Sequence, residues 1–489
     1  MKKLLFLLLA PFSLFAQENQ KNKEEKIRQV ENSLFPPVIY GDSFTYNNLE
    51  KRMKETHIKG LSVAVIINYK VEWAKGYGWA DEGEKRKVTP ETRFQAASIS
   101  KSLNSMGVLK LVQQGKLDPE ADINNYLKGW KFPYDSVSKG KKINTYNLLS
   151  HSAGLTIHGF PGYNRKDSIP TIPEILDGKR PANTEAVRSD MPPGVKFDYS
   201  GGGTTISQLM VTSITGRDYT SYMKDEVLLP LGMLNSSYQQ PPGDTNWLAT
   251  GYYRDDKPVD GKYHIYPEQA AAGLWTTPSD LCKYIIECQL AYEGKSSKVL
   301  NREMMQKRLS FYVDSTIGLG VFLQTRGGLK YFNHNGGNEA FLCTYLGSFK
   351  DGNGVVVMIN GEDFSIINEV VNSVGTVYGW KDFYTPNKKK LINLPKDSMS
   401  QFIGDFILDK DTLNVVACGS GLCIEQNHAN PYKMYFSEPD KFSVMEVGNA
   451  DFIAIRDASG KIEALELLQN GRTMRLPKIK EPANKAPGK

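Results

Sequence analysis

Strand-forming runs stand at the two ends of one long segment, and a sheet can form only if those ends meet. At the first end, Leu61–Ile67 and Val71–Tyr77 are split by Asn68-Tyr69-Lys70 and read as a β-hairpin. At the second end the pattern returns at Gly318–Gln324, Lys330–Asn333, Ala340–Leu346 and Val355–Ile359, with Asp351-Gly352-Asn353-Gly354 as the turn of the last hairpin. Between them, from Leu117 to about Glu287, helical and loop patterns dominate. This predicts an α/β (α+β) fold: an antiparallel sheet flanked by helices, with a mainly helical subdomain folded against one side. Lys101–Gln114 is apolar on most faces and reads as a buried helix, and Ser365–Trp380 as a closing helix.

Beyond this segment, Thr385–Ser400 is rich in Pro, Lys and Asn and reads as a linker. Short strand-like runs follow at even spacing, from Phe402–Leu408 to Thr473–Leu476, and predict a small all-β barrel or sandwich. The expected organisation is a leader at 1–16, a polar spacer with a short helix at 17–45, the main domain at 46–384, the linker at 385–400 and a β-barrel at 401–480.

The leader is Met1-Lys2-Lys3, an apolar run from Leu4 to Phe15, then Ala16-Gln17, the pattern of a secretory signal. The apolar run is shorter than the roughly 20 residues a membrane span needs. The first cysteine is Cys282, far from any site of lipid attachment. The expectation is a periplasmic or secreted protein without a transmembrane anchor. Net charge is +6 in 489 residues and forms no basic stripe, which argues against nucleic acid as a partner. Export permits disulfides, and Cys418-Gly-Ser-Gly-Leu-Cys423 has the length of a bridged hairpin. Cys282, Cys288 and Cys343 read as small buried hydrophobes. No cysteine pair has metal-ligand spacing with a histidine, so no metal and no cofactor is expected.

Three stretches carry chemistry: Ser98-Ile99-Ser100-Lys101, Phe197-Asp198-Tyr199-Ser200-Gly201 and His334-Asn335-Gly336-Gly337. Serine followed three places on by lysine also occurs at Ser136, Ser138 and Ser221, so the bare spacing says little. Ser98 differs because Ala96 and Ala97 lead it into the buried helix. There one turn brings Lys101 beside it, and loss of hydration lowers the lysine pKa until the amine can accept a proton. A serine in that place also serves as a plain helix cap. Tyr199 lies between Pro192-Pro193-Gly194 and Gly201-Gly202-Gly203; near Lys101 its phenolate is stabilised, and away from it Tyr199 is a core tyrosine. His334 comes at the end of a strand, before glycines whose backbone can approach a ligand. Taken alone, it reads equally as a hydrogen-bonded structural histidine.

In this order, the stretches resemble the penicillin-recognising serine hydrolases: class C β-lactamases, D,D-peptidases, β-lactamase-like esterases and D-aminopeptidases. The resemblance covers roughly Tyr46 to Trp380. It includes Leu148-Leu-Ser-His-Ser-Ala-Gly-Leu155, Pro230-Leu-Gly-Met233 and Ala271-Ala-Gly-Leu-Trp-Thr-Thr-Pro-Ser-Asp280. It implies that Ser98 is the acylated nucleophile, Lys101 its base, Tyr199 the proton shuttle and His334 a substrate-orienting group. It further implies an oxyanion site at the N–H groups of Ser98 and Gly337, with Gly336 and Gly201 beside it. Two departures stand out. Gly201 replaces the asparagine of Tyr-x-Asn, and His334 replaces the lysine of Lys-Thr-Gly. Both favour an esterase or amidase acting on a small-molecule or peptide substrate. The alternatives are a cell-wall D-amino-acid peptidase, a weak β-lactamase, and a penicillin-binding sensor of slow turnover. The last segment resembles the lipocalin-like barrel appended to some of these enzymes.

Overall fold

The computed structural model describes residues 10–41, 46–408, 411–426, 429–444, 450–469 and 472–479. Most of the leader, 1–9, lies outside them. The remainder of the leader enters a helix, Ala10–Asn32, that also runs through most of the expected spacer. No helix among the described residues is long and apolar enough to cross a membrane.

The first compact unit takes in Met1–Ser33, Asn48–Glu362 and Ser373–Tyr384. Its sheet draws strands from both ends of the segment. The first end supplies β1 (Gly60–Ile67), β2 (Lys70–Asp81) and β3 (Arg86–Lys87). The second end supplies β4 (Phe322–Arg326), β5 (Leu329–Asn338), β6 (Phe341–Ser348) and β7 (Gly354–Ile359). They line up as β3-β2-β1-β7-β6-β5-β4, antiparallel throughout. The two ends join where β1 pairs β7, with Val63 opposite Val357. Both strands are buried along nearly their whole length, which is why each reads as an unbroken apolar run. Asn68 and Tyr69 take left-handed backbone angles, φ 51° and 62°, which make the tight turn between β1 and β2.

Two strands differ from their sequence patterns. β4 starts at Phe322, because the chain at Gly318 and Gly320 is busy packing elsewhere: a Cβ on Gly320 would lie 2.5 Å from that of Ser105. β5 continues past Asn333 to Asn338, held by β6 opposite, so His334 lies inside a strand and not at its end.

Helix α1 (Ser100–Gln113) is buried on nearly every side, its polar Ser100, Lys101, Ser102, Asn104 and Ser105 included. Against it lie α2 (Gly201–Thr215) and α3 (Gln269–Ala272), while α4 (Pro278–Glu293) packs on β1, β2, β6 and β7. They share one apolar core with the sheet, including Leu103, Met106, Ile206, Leu281 and Phe332.

The second unit comprises Leu34–Asn47, Asp363–Asn372 and Thr385–Lys489. Within 385–400 the chain forms a strand, Asn387–Lys389, parallel to Val38–Tyr40, and a helix, Lys396–Ser400. The strands that follow form two antiparallel sheets of four and five strands, and no closed barrel forms among the described residues. The run Lys433–Phe436 is divided at Met434, where one sheet ends and the next begins. Phe406 and Lys478 make one isolated bridge between the outer strands, too little pairing to close a barrel. Cys418 and Cys423 are bonded across the hairpin. Cys282, Cys288 and Cys343 are free and buried.

Candidate active site

Ser98 sits in a single 3₁₀ turn, Ala97–Ile99, that runs straight into α1. Ala97 before it has φ 47°, a left-handed angle that costs a residue with a Cβ about 1 kcal/mol or more and must be held by its surroundings. Part of that hold comes from β5. At Gly336 the strand passes so close to Ala96 that a Cβ would lie 2.3 Å from the Ala96 carbonyl oxygen. Only glycine allows this approach, and Cys343 Sγ donates to the same oxygen at 3.3 Å. Further along, Asn338 Nδ2 donates to Gln95 Oε1 at 2.7 Å and to the Ala272 carbonyl at 3.1 Å.

Lys101 Nζ lies 3.0 Å from Ser98 Oγ and donates to the Ala271 carbonyl at 2.7 Å. Only 4% of the residue is exposed. Burial strips water from the ammonium and lowers the lysine pKa to about 7. The amine is thus a base near neutral pH, in contact with a hydroxyl.

The Tyr199 hydroxyl is hydrogen-bonded to Ser98, and Lys101 Nζ sits 5.0 Å from its ring centroid. Burial pushes the Tyr199 phenol well above its usual pKa, more than the Ser98 hydrogen bond lowers it. This corrects the expected phenolate: the water removed around the ring disfavours the anion. Tyr199 is a neutral phenol, able to donate a proton.

His334 is buried, and Nδ1 donates to the Asn335 carbonyl at 2.6 Å. Nε2 is then the acceptor, and it is buried without a hydrogen-bond partner among the described residues. Burial, with a smaller contribution from Lys101, lowers the His334 pKa to about 3. His334 is therefore neutral near pH 7 and stays so through the mildly acidic range in which an exposed histidine would charge. Its ring centroid is 6.3 Å from that of Tyr199 and 5.1 Å from that of Phe322.

β5 pairs with β4 over Leu329–Asn333 and with β6 over Tyr331–Asn338. On the β4 side, then, the stretch His334–Asn338 has no strand partner among the described residues. Asn335 and Gly337 on this stretch are exposed, and Gly336 is buried. Gly201 is placed differently. It opens α2, buried against Phe160, and its N–H donates to the His158 carbonyl at 3.3 Å. That bond uses the donor an oxyanion role would need, so Gly201 does not serve as one.

Sequence reasoning assigned no role to several neighbours. His151 is buried with its ring 4.3 Å from that of Tyr199. Phe322 stacks on Tyr199 at 6.4 Å. The Ala271 carbonyl holds Lys101. His151 and Ala271 fall in stretches quoted for the resemblance, which was the available signal; Phe322 had none. Glu268, just before α3, is wholly buried with neither carboxyl oxygen hydrogen-bonded among the described residues. Desolvation raises its pKa to about 8, so it is a neutral acid at pH 7.

An antiparallel sheet beside a helical block, with a serine at the start of a buried helix and a buried lysine at its hydroxyl, defines the class of serine hydrolases of the β-lactamase and penicillin-binding type. Residues 46–365 match the family model described as Beta-lactamase, and the chain belongs to that family. It is 29% identical over 235 residues to Protein flp of Staphylococcus aureus, a match covering 47% of this chain and 44% of that protein. The chain thus spans less than half the length of that relative. Among solved structures, the octameric penicillin-binding protein homologue from Pyrococcus abyssi is similar with a TM-score of 0.60 at 20% identity, over 88% of this chain and 98% of the other. A D-amino acid amidase from Ochrobactrum anthropi, complexed with L-phenylalanine amide, is similar with a TM-score of 0.55 at 19% identity, over 73% of this chain and 99% of the other.

Proposed function

We propose that this protein is an exported serine hydrolase that cleaves an ester or amide bond through an acyl-Ser98 intermediate. The observation that carries this reading is the buried Lys101 amine, lowered to about 7 and 3.0 Å from Ser98 Oγ. Neutral Lys101 takes the Ser98 proton as Oγ attacks the substrate carbonyl carbon. The tetrahedral oxyanion is held by the N–H groups of Ser98 and Gly337. Tyr199 gives its hydroxyl proton to the leaving oxygen or nitrogen, and the Lys101 ammonium restores it. Water then attacks the acyl-enzyme by the same route in reverse, releasing the acid and Ser98.

The substrate is one whose recognition needs no carboxylate. Neutral His334 offers no cation, and Gly201 offers no side-chain amide. An amide of a D-amino acid is the second reading, favoured by the likeness in fold to the D-amino acid amidase. Export is supported by the leader and by the Cys418–Cys423 bond, which an oxidising compartment permits. The test is a panel of neutral esters, D-amino acid amides and β-lactams, with mass mapping of the acylated residue. Steady turnover with the acyl group on Ser98 supports the proposal; labelling elsewhere defeats it. The pH dependence of binding of carboxylate-bearing substrates from about pH 5 to 8 should be the same in His334→Ala as in the parent, since His334 titrates far below and Lys101 is the group that changes charge there. A rise in affinity on acidification that is present in the parent and lost in His334→Ala would show that His334 does charge.

A further inference from the structure

Tyr199 is reached by a stretch with little of its own to fix it: Gly194, Val195 and Lys196 are all exposed. What holds the tyrosine lies in the stretch Leu148–Leu155, which the reaction above leaves without a role. The Asp198 N–H donates to the His151 carbonyl at 2.6 Å. The Ser200 N–H donates to His151 Nδ1 at 3.2 Å. The residues on both sides of Tyr199 are thus bonded to one histidine, through its backbone and its ring. The same imidazole lies 4.3 Å from the Tyr199 ring, tilted 35°, and meets Phe197 edge-on at 6.1 Å.

His151 is itself held firmly. The helix Thr145–Leu149 before it begins with a reciprocal capping box between Asn144 and Asn147. The Ser150 and Ser152 hydroxyls are 2.9 Å apart, and the Ser152 N–H donates to the Asn147 carbonyl at 2.9 Å. His151 adopts φ 54°, the left-handed region, unusual for a residue with a Cβ and the mark of a position determined by its neighbours. Its ring is buried, and with Nδ1 accepting from Ser200 the ring proton resides on Nε2.

We infer that His151 is the positioning residue of Tyr199: it fixes the backbone on both sides of the phenol and one neighbour of its ring, and so sets the hydroxyl against Ser98. Neutrality is part of the role, since an imidazolium would turn an N–H toward the Ser200 N–H. Burial and the nearby Lys101 both hold His151 in that neutral state. The inference rests on the proposed role of Tyr199.

The experiment compares full-length His151→Ala, His151→Asn, His151→Gln and Tyr199→Phe in steady-state hydrolysis of a neutral ester. Displacing an aligned group by about 1 Å costs ~10²-fold, so His151→Ala should lower kcat by about that factor and leave KM within ~3-fold. Asparagine places its oxygen where Nδ1 was and tolerates positive φ, so His151→Asn should recover most of the loss. Glutamine places its oxygen nearer Nε2 and should stay slow. Combined with Tyr199→Phe, His151→Ala should add almost nothing. A folded His151→Ala with parental kcat overturns the inference, and so does a fully multiplicative double variant. If His151→Ala does not fold, equal rates for the asparagine and glutamine variants overturn it instead. A Tyr199→Phe variant with parental turnover would instead defeat the reading of the site itself; a slow Tyr199→Phe beside an unaffected His151→Ala defeats this inference alone.

Discussion

The core of the second unit contains Phe402, Phe406, Phe436, Phe442 and Phe452 among aliphatic neighbours. The polar side chains buried with them have partners: Asn414 donates to Asp405 at 2.8 Å and Ser443 to Asp451 at 2.6 Å. Among its C-terminal strands, Arg456 is paired with Asp440 nearer the surface at 2.6 Å. The first unit buries groups of another kind. Lys101 sits near two imidazoles, and all three basic groups are pushed down in pKa. Glu268 is buried without a hydrogen-bond partner among the described residues, and so is His334 Nε2. Each such group disfavours folding, because desolvation without a partner costs about 1–3 kcal/mol or more. A fold keeps such groups where they do chemistry, while the phenylalanine-rich core has only stability to supply.

The largest effect expected from this contrast is at Ser98. Ser98→Ala should lower turnover by ~10⁴-fold or more and end acylation, with the unfolding temperature unchanged. Acylation surviving at full rate would remove the chemistry from this region. Lys101→Met should cost ~10²–10⁴-fold in rate. In the parent protein, kcat/KM should rise with pH through about 7 as the amine loses its proton. The same substitution should not destabilise. A lysine whose folded pKa is depressed contributes its full stability only above the unfolded value of 10.5 and loses it as pH falls toward 7. Calorimetry at pH 6 should therefore find Lys101→Met at least as stable as the parent; a large loss would mean that Lys101 is chiefly structural.

Phe442→Ala tests the other side of the comparison. Phe442 is 1% exposed and stacks on Phe452 at 4.8 Å. Its loss should cost ~3–5 kcal/mol of stability while acylation of Ser98 at 25 °C is retained. Loss of acylation in the folded variant would show that the phenylalanine core supports the chemistry as well. The smallest effect concerns Glu268. A carboxyl whose folded pKa is raised stabilises the fold fully below its unfolded value of 4.5, and that contribution is lost as pH rises through about 8. Glu268→Gln should thus flatten the fall in stability between about pH 5 and 8, by a few kcal/mol at most. An unchanged pH–stability curve would show that Glu268 does not titrate as its burial requires.

Local rules fixed much of this protein in the sequence itself. The turn at Asn68-Tyr69 and the hairpins around it follow from short-range geometry. Ser98 and Lys101 meet because one helical turn separates them, and Lys101 is buried with α1, whose apolar residues Leu103, Met106, Val108, Leu109 and Leu111 lie in the core. The Cys418–Cys423 bond closes a five-residue separation across one hairpin. What depends on distant partners was decided only in three dimensions. His151 reaches Tyr199 across 48 positions of sequence, and the Ala271 carbonyl reaches Lys101 across 170. The continuation of β5 past Asn333 required β6 opposite it. Where a barrel was expected, the sheets of the second unit stay unclosed among the described residues, because one isolated bridge is all that joins the outer strands there. The charge state of Tyr199 went against its sequence reading, and the His334 pKa fell further than a histidine's own chemistry states, for the same reason: a pKa answers to the water removed from around a group, and the sequence does not state which surfaces will close over it.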